Sequence, residues 1–66
     1  MDKIFIVWDQ KADSWNAIPT VESIHASLEG AEATIPDNIR SLERKPYGNL
    51  IKNYAYLAIE ERELLP

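Results

Sequence analysis

A chain of 66 residues with no cysteine and one histidine can build one hydrophobic core, because a domain of this size buries only about 60% of the surface its unfolded form exposes. Neither a disulfide framework nor a Cys/His metal cluster is available to staple it, so packing, with or without oligomerisation, carries its stability. A net charge of -4 opposes generic binding to nucleic acid or anionic membrane, which depends on neutralising phosphates with Lys and Arg.

The charge is unevenly placed. Residues 40–52 hold Arg40, Arg44, Lys45 and Lys52 against Glu43, whereas the rest of the chain sets Lys3, Lys11 and Arg62 against ten carboxylates. No apolar run approaches the roughly 20 residues that span a bilayer, and Met1-Asp2-Lys3 leads into too short a stretch for a secretory signal. The expectation is a soluble, cytoplasmic protein made of one domain, residues 1–66.

Residues 3–9 are rich in β-branched and aromatic side chains and end at the polar run Asp9-Gln10-Lys11-Ala12-Asp13-Ser14, the pattern of a strand and a turn. Ile4, Ile6 and Trp8 alternate with Phe5 and Val7, so both faces are apolar and the strand suits a doubly covered position. Residues 20–26 read as a second, antiparallel strand with Pro19 just outside it, since proline cannot donate to a ladder. Ser27 then caps a helix over 28–35, with Glu29 in its positive first turn. A competing reading joins Val21, Ile24, Leu28, Ala31 and Ile35 at helical spacing into one helix from a Thr20 cap, with Gly30 costing about 1 kcal/mol inside it. The strand-then-helix reading is preferred.

Pro36 ends or offsets the helix, and residues 37–43 give a second short helix with Ile39 and Leu42 inward. Lys45-Pro46-Tyr47-Gly48 fits a type I turn. The last patterned run, 54–65, is the natural partner of the first strand. As a strand over 54–62 it alternates Ala55, Leu57 and Ile59 with Tyr54, Tyr56 and Ala58; as a helix it aligns Leu50, Ile51, Tyr54, Leu57, Ala58 and Leu65. Tyrosines and a β-branched residue favour the strand, which is preferred. The expected fold is α+β: a small three-stranded, mainly antiparallel sheet (3–9, 20–26, 54–62) with one or two short helices (28–35, 37–43) on one face.

The segments Lys3-Ile4-Phe5-Ile6-Val7-Trp8, 24–35 (with Ser27-Leu28-Glu29-Gly30-Ala31-Glu32 at the helix start) and Ala58-Ile59-Glu60-Glu61-Arg62-Glu63-Leu64 resemble small phage and bacterial proteins built as strand, strand, helix, strand. The resemblance touches about half of the chain and leaves the basic 40–52 stretch unexplained. It implies the strand reading and a phage or mobile-element accessory protein, a class that includes anti-CRISPR-like inhibitors of host defence. It brings no established activity, cofactor or site residue.

No catalytic constellation emerges from the residue types. His25 pairs with no cysteine, and nothing indicates the orienting carboxylate and oxyanion hole that Ser23, Ser27 or Ser41 would need as a nucleophile. Glu60, Glu61 and Glu63 on one strand point alternately to opposite faces, which suits a solvated strand end better than a pair of carboxylates across a cleft. Gly30 and Gly48 are too far apart for a phosphate loop. The expectation is therefore no enzyme, no cofactor, no metal and no small-molecule substrate.

What remains is recognition. Of Trp8, Trp15, Tyr47, Tyr54 and Tyr56 most, about three, are expected to supply the apolar area that a small core needs, and those left outside, Trp15 first among them, are natural interface anchors. With one sheet face covered by helices the other stays open, and an apolar patch of that kind marks association; a homodimer or a protein partner is expected on the Tyr54 and Tyr56 face. The leading reading is an acidic interaction protein inhibiting a host protein such as a nucleic-acid-binding complex, acting partly as a nucleic-acid mimic. Its contacts would be Trp15, Tyr54, Tyr56, Glu29, Glu32, Glu60, Glu61 and Glu63. The alternatives are a nucleic-acid-binding accessory protein using Arg40, Arg44, Lys45, Tyr47 and Lys52, with Tyr47 stacking on a base, or a structural subunit.

Overall fold

The computed structural model describes residues 2–10, 18–44, 50–54 and 56–64, with the side chains of Glu43 and Arg44 outside that description. The elements run β1 (Lys3–Asp9), β2 (Thr20–His25), α1 (Leu28–Ala33), α2 (Asp37–Arg40), β3 (Glu43–Arg44), β4 (Leu50–Tyr54) and β5 (Leu57–Glu63). Every pairing is antiparallel. Four full strands lie in the order β2, β1, β5, β4, and the two-residue β3 extends the β4 edge. The α+β class holds; the three-stranded sheet does not.

The correction lies in the C-terminal third. A single strand over 54–62 is replaced by a hairpin in which Tyr54 pairs with Leu57 and Tyr56 sits in the turn. The second helix ends at Arg40, not at 43, because Glu43 and Arg44 pair with Tyr54 and Asn53 as strand. The turn expected at Lys45-Pro46-Tyr47-Gly48 lies outside the described residues.

The first and last apolar runs do meet. β1 and β5 pair along their whole length, from Lys3 opposite Glu63 to Asp9 opposite Leu57. The ladder is continued by Gln10 N donating to Tyr56 O and Leu64 N donating to Asp2 O. These are inner strands of the sheet, each paired along both edges. The helices pack on the Phe5 and Val7 face of β1, so the doubly covered position expected for this strand is not found among the described residues.

The helices cover one face only. Phe5 and Val7 of β1 point there, with Leu57 and Ile59 of β5 and Tyr54 of β4, against Leu28, Ala31, Ile35 and Ile39. A register shift between Leu50 and Lys52 makes Ile51 the extra residue of β4 and lets it join this core, the usual work of a bulge. Leu42, expected inward, is exposed.

α1 begins where the sequence placed it. Ser27 has extended dihedrals and its Oγ accepts from Gly30 N at 3.0 Å, satisfying one of the free N–H groups of the first turn. The reading of one helix from Thr20 through Ile35 is overturned: Thr20–His25 is strand and Pro19 precedes it. Gly30 has a local reason, since a Cβ there would stand 3.2 Å from Ser27 Oγ and 3.5 Å from His25 Nδ1. Its bare Cα lets α1 settle against β2. Among the described residues no helix is long and apolar enough to cross a membrane.

Candidate protein-binding surface

The sheet face away from the helices carries the arrangement with most scope for recognition. The registers place Ile4, Ile6 and Trp8 of β1 there, beside Ile24 and Val21 of β2 on one side and Arg62, Glu60 and Ala58 of β5 on the other. The face divides in two. Towards β2 it is aliphatic and open, with Val21 48% and Ile24 59% exposed; towards β5 and β4 it is polar and closed.

A bulge creates the aliphatic half. β2 pairs with β1 in one register from His25 to Ser23 and in another from Val21 to Thr20, leaving Glu22 as the extra residue. Without the shift, Val21 and Ile24, three positions apart, would point to opposite faces. With it, Ile24 lies opposite Ile6 and Val21 opposite Trp8, and both reach the same surface.

The polar half is a small network. Trp8 Nε1 donates to Glu60 Oε1 at 3.0 Å, and Arg62 Nε lies 3.2 Å from Glu60 Oε2. Gln10 Nε2 donates to Asn53 Oδ1 at 2.9 Å. Glu60 and Asn53 are both buried, and a buried polar group is tolerated where such partners exist. No buried side-chain polar atom among the described residues lacks one.

The contacts expected from the sequence distribute differently. Tyr54 is 3% exposed and belongs to the helix-side core, so the proposed Tyr54 and Tyr56 face does not exist as one surface. Tyr56 is exposed in the hairpin turn. Glu60, expected at a solvated strand end, is buried beneath Trp8 and Arg62. Glu61 is half-buried on the helix side and 3.4 Å from Lys3 Nζ, while Glu63 is exposed at the end of β5. Glu29 is exposed and Glu32 half-buried on α1. Trp15, Lys45 and Tyr47 lie outside the described residues, as does the side chain of Arg44. Arg40 is exposed and paired with Asp37 three residues earlier, which takes one cation from the basic alternative; Lys52 is half-buried.

Sequence reasoning missed Val21 and Ile24 as a surface pair. The signal was their three-residue spacing, which fitted the competing helical reading and, on the preferred strand without a bulge, set the two residues on opposite faces.

One grouping relevant to catalysis forms on the helix side. Ser23 Oγ and His25 Nε2 are 2.7 Å apart, as alternate residues of a strand can be. The other ring nitrogen faces the backbone of α1 at Gly30, and no carboxylate among the described residues bonds to it. The pair therefore lacks the group that orients the base in a hydrolytic triad. Among the described residues no three His, Asp or Glu side chains gather as metal ligands.

The fold and this face define a small antiparallel α+β domain with one closed and one half-open sheet surface. Comparison with known protein families, curated proteins and solved structures finds no match to the chain.

Proposed function

We propose that this protein is an acidic protein-binding module whose contact surface is the helix-free sheet face, centred on Ile4, Trp8, Val21 and Ile24. The observation that carries the reading is the alignment of Val21 and Ile24, both about half exposed, beside Trp8 at the margin of a satisfied polar network. Association surfaces have this anatomy, an apolar centre with a polar rim. Trp8 is the anchor, because its indole is already held by Glu60 and pays little entropy on binding.

The excess of carboxylates fits a partner with a basic surface, such as a nucleic-acid-binding complex of a host cell, and makes inhibition by occupying that surface the natural outcome. On this reading the protein works in the host cytoplasm as a phage or mobile-element accessory. Charge steers the encounter and the aliphatic patch holds it.

The test is affinity capture from host lysate with three baits: the wild-type chain, Ile24→Asp and Glu29→Lys. Ile24→Asp should lose the captured partner while the purified variant keeps the wild-type circular dichroism spectrum and, in dilute solution where both are monomeric, the wild-type melting temperature. Glu29→Lys should weaken capture at low salt and match the wild type at high salt, where exposed charges are screened. Equal capture by wild type and Ile24→Asp refutes the face as the contact.

A further inference from the structure

We infer that two copies of this chain associate through β2, edge to edge and antiparallel, so that their sheets run on as one. The inference concerns self-association and stands without the partner reading above.

Among the described residues β2 is the outer strand of the sheet and pairs only with β1. Among the described residues, the backbone groups on its other side meet no partner. A six-residue edge of this kind invites a further strand unless it is blocked by Lys, by an internal Pro or by a covering segment. Thr20–His25 has neither Lys nor Pro, and its one formal charge is Glu22.

A bulge normally spoils an edge, because the extra residue throws the pleat out of phase with a regular strand. Against a second β2 the phase is restored. If Val21 lies opposite Ile24 of the second copy, the two residues between them, Glu22 and Ser23, lie opposite Ser23 and Glu22, and neither strand has a residue to spare. The pleat agrees at every outer pair. Val21 and Ile24 both belong to the helix-free face, and Thr20 and His25, which fall opposite one another, both belong to the helix side.

Both neighbouring registers are excluded: Ser23 against Ser23 would set Val21 of the helix-free face against His25 of the helix side, which the pleat forbids, and the other fails on two counts. Setting Glu22 directly against Glu22 puts like charges in contact. It also sets Val21 of one face against Ser23 of the other, which the pleat forbids. β2 is thus complementary to itself about one two-fold axis, as an isologous contact requires. The union joins the two aliphatic half-faces and brings Val21 and Ile24 of each copy together at the seam. The charge of -4 on each copy opposes association, so added salt strengthens it.

The test uses the complete chain, which has no native cysteine. Sedimentation velocity of the wild type over rising concentration should show conversion to twice the monomer mass, promoted by salt. A monomer at every concentration overturns the inference, and this reading requires no variant to fold.

Register is read with Val21→Cys and Ile24→Cys, both at exposed positions. Oxidising the mixture should give a disulfide-linked dimer of one variant with the other, since facing residues on antiparallel strands lie about 4.5–5.5 Å apart at Cα. Ile24→Cys alone should stay unlinked, because its counterpart sits three residues along, about 10 Å away. Cross-linking of Ile24→Cys with itself, or none in the mixture, overturns the proposed seam.

Discussion

Both carboxylate oxygens of Glu60 are engaged on the helix-free face, one by the Trp8 indole and one by Arg62. Replacing the donor therefore does more than remove a hydrogen bond. Trp8→Phe keeps most of the apolar area but leaves a buried oxygen without its partner, which costs about 1–3 kcal/mol. Removing both polar groups leaves no buried atom of the pair unsatisfied, and Arg62, more than half exposed, can turn to water, so Trp8→Phe with Glu60→Met should recover most of that loss. Urea unfolding followed by circular dichroism measures the cycle. If the double variant is as unstable as the sum of the singles, the two side chains do not act as a pair. Arg62 is more than half exposed, so Arg62→Ala should cost less, about 1 kcal/mol or below.

At the scale of elements the cap is the cheapest test. α1 has only six residues, too few to form without help from packing and its ends. Ser27→Ala should lower stability by about 1 kcal/mol and Ser27→Asp should hold it near the wild-type value. A melt in which both behave alike argues that the Ser27 to Gly30 bond contributes nothing. This cap was legible in the sequence because a small polar residue before an apolar, acidic run has one common use. The pairing of the first and last apolar runs was legible for a similar reason, since each is apolar on alternate sides. Two bulges hid the rest. Glu22 as an extra residue brings Val21 and Ile24 to one face, and a three-residue spacing on one face imitates a helix. Ile51 as an extra residue puts Leu50 and Ile51 in succession and breaks the alternation that would have announced β4. The hairpin between β4 and β5 was hidden by its chemistry: Tyr56 in its turn is neither the Asn nor the Gly that tight hairpin loops usually carry. Tyr54 and Tyr56 therefore read as neighbours on one strand face, whereas one closes the core and the other stands in the turn.

The whole molecule has two faces with different duties, and the difference is measurable. A domain of this length has a stability on the order of 3–10 kcal/mol at the usual figure per residue. Ile59 is fully buried in the helix-side cluster, so Ile59→Ala should cost about 2–5 kcal/mol, a large fraction of that stability. Ile59→Val keeps the fold at a cost of about 0.5–1.5 kcal/mol. Ile24 has the same side chain, yet most of its surface already meets water, and Ile24→Ala should stay within about 0.5 kcal/mol of the wild type in the monomer. The proposed dimerisation would sharpen the contrast, because a partner that binds only the folded chain raises its apparent stability with concentration. The melting temperature of the wild type should therefore rise with protein concentration, and that of Ile24→Asp should not. Both chains melting independently of concentration would leave Val21 and Ile24 without a role in self-association, whereas a concentration dependence equal in both would place the contact elsewhere on the molecule. On the proposed dimer the same pair of side chains separates the inward duty from the outward one: Ile59 would set how stable the monomer is, and Ile24 how far that stability depends on a second copy.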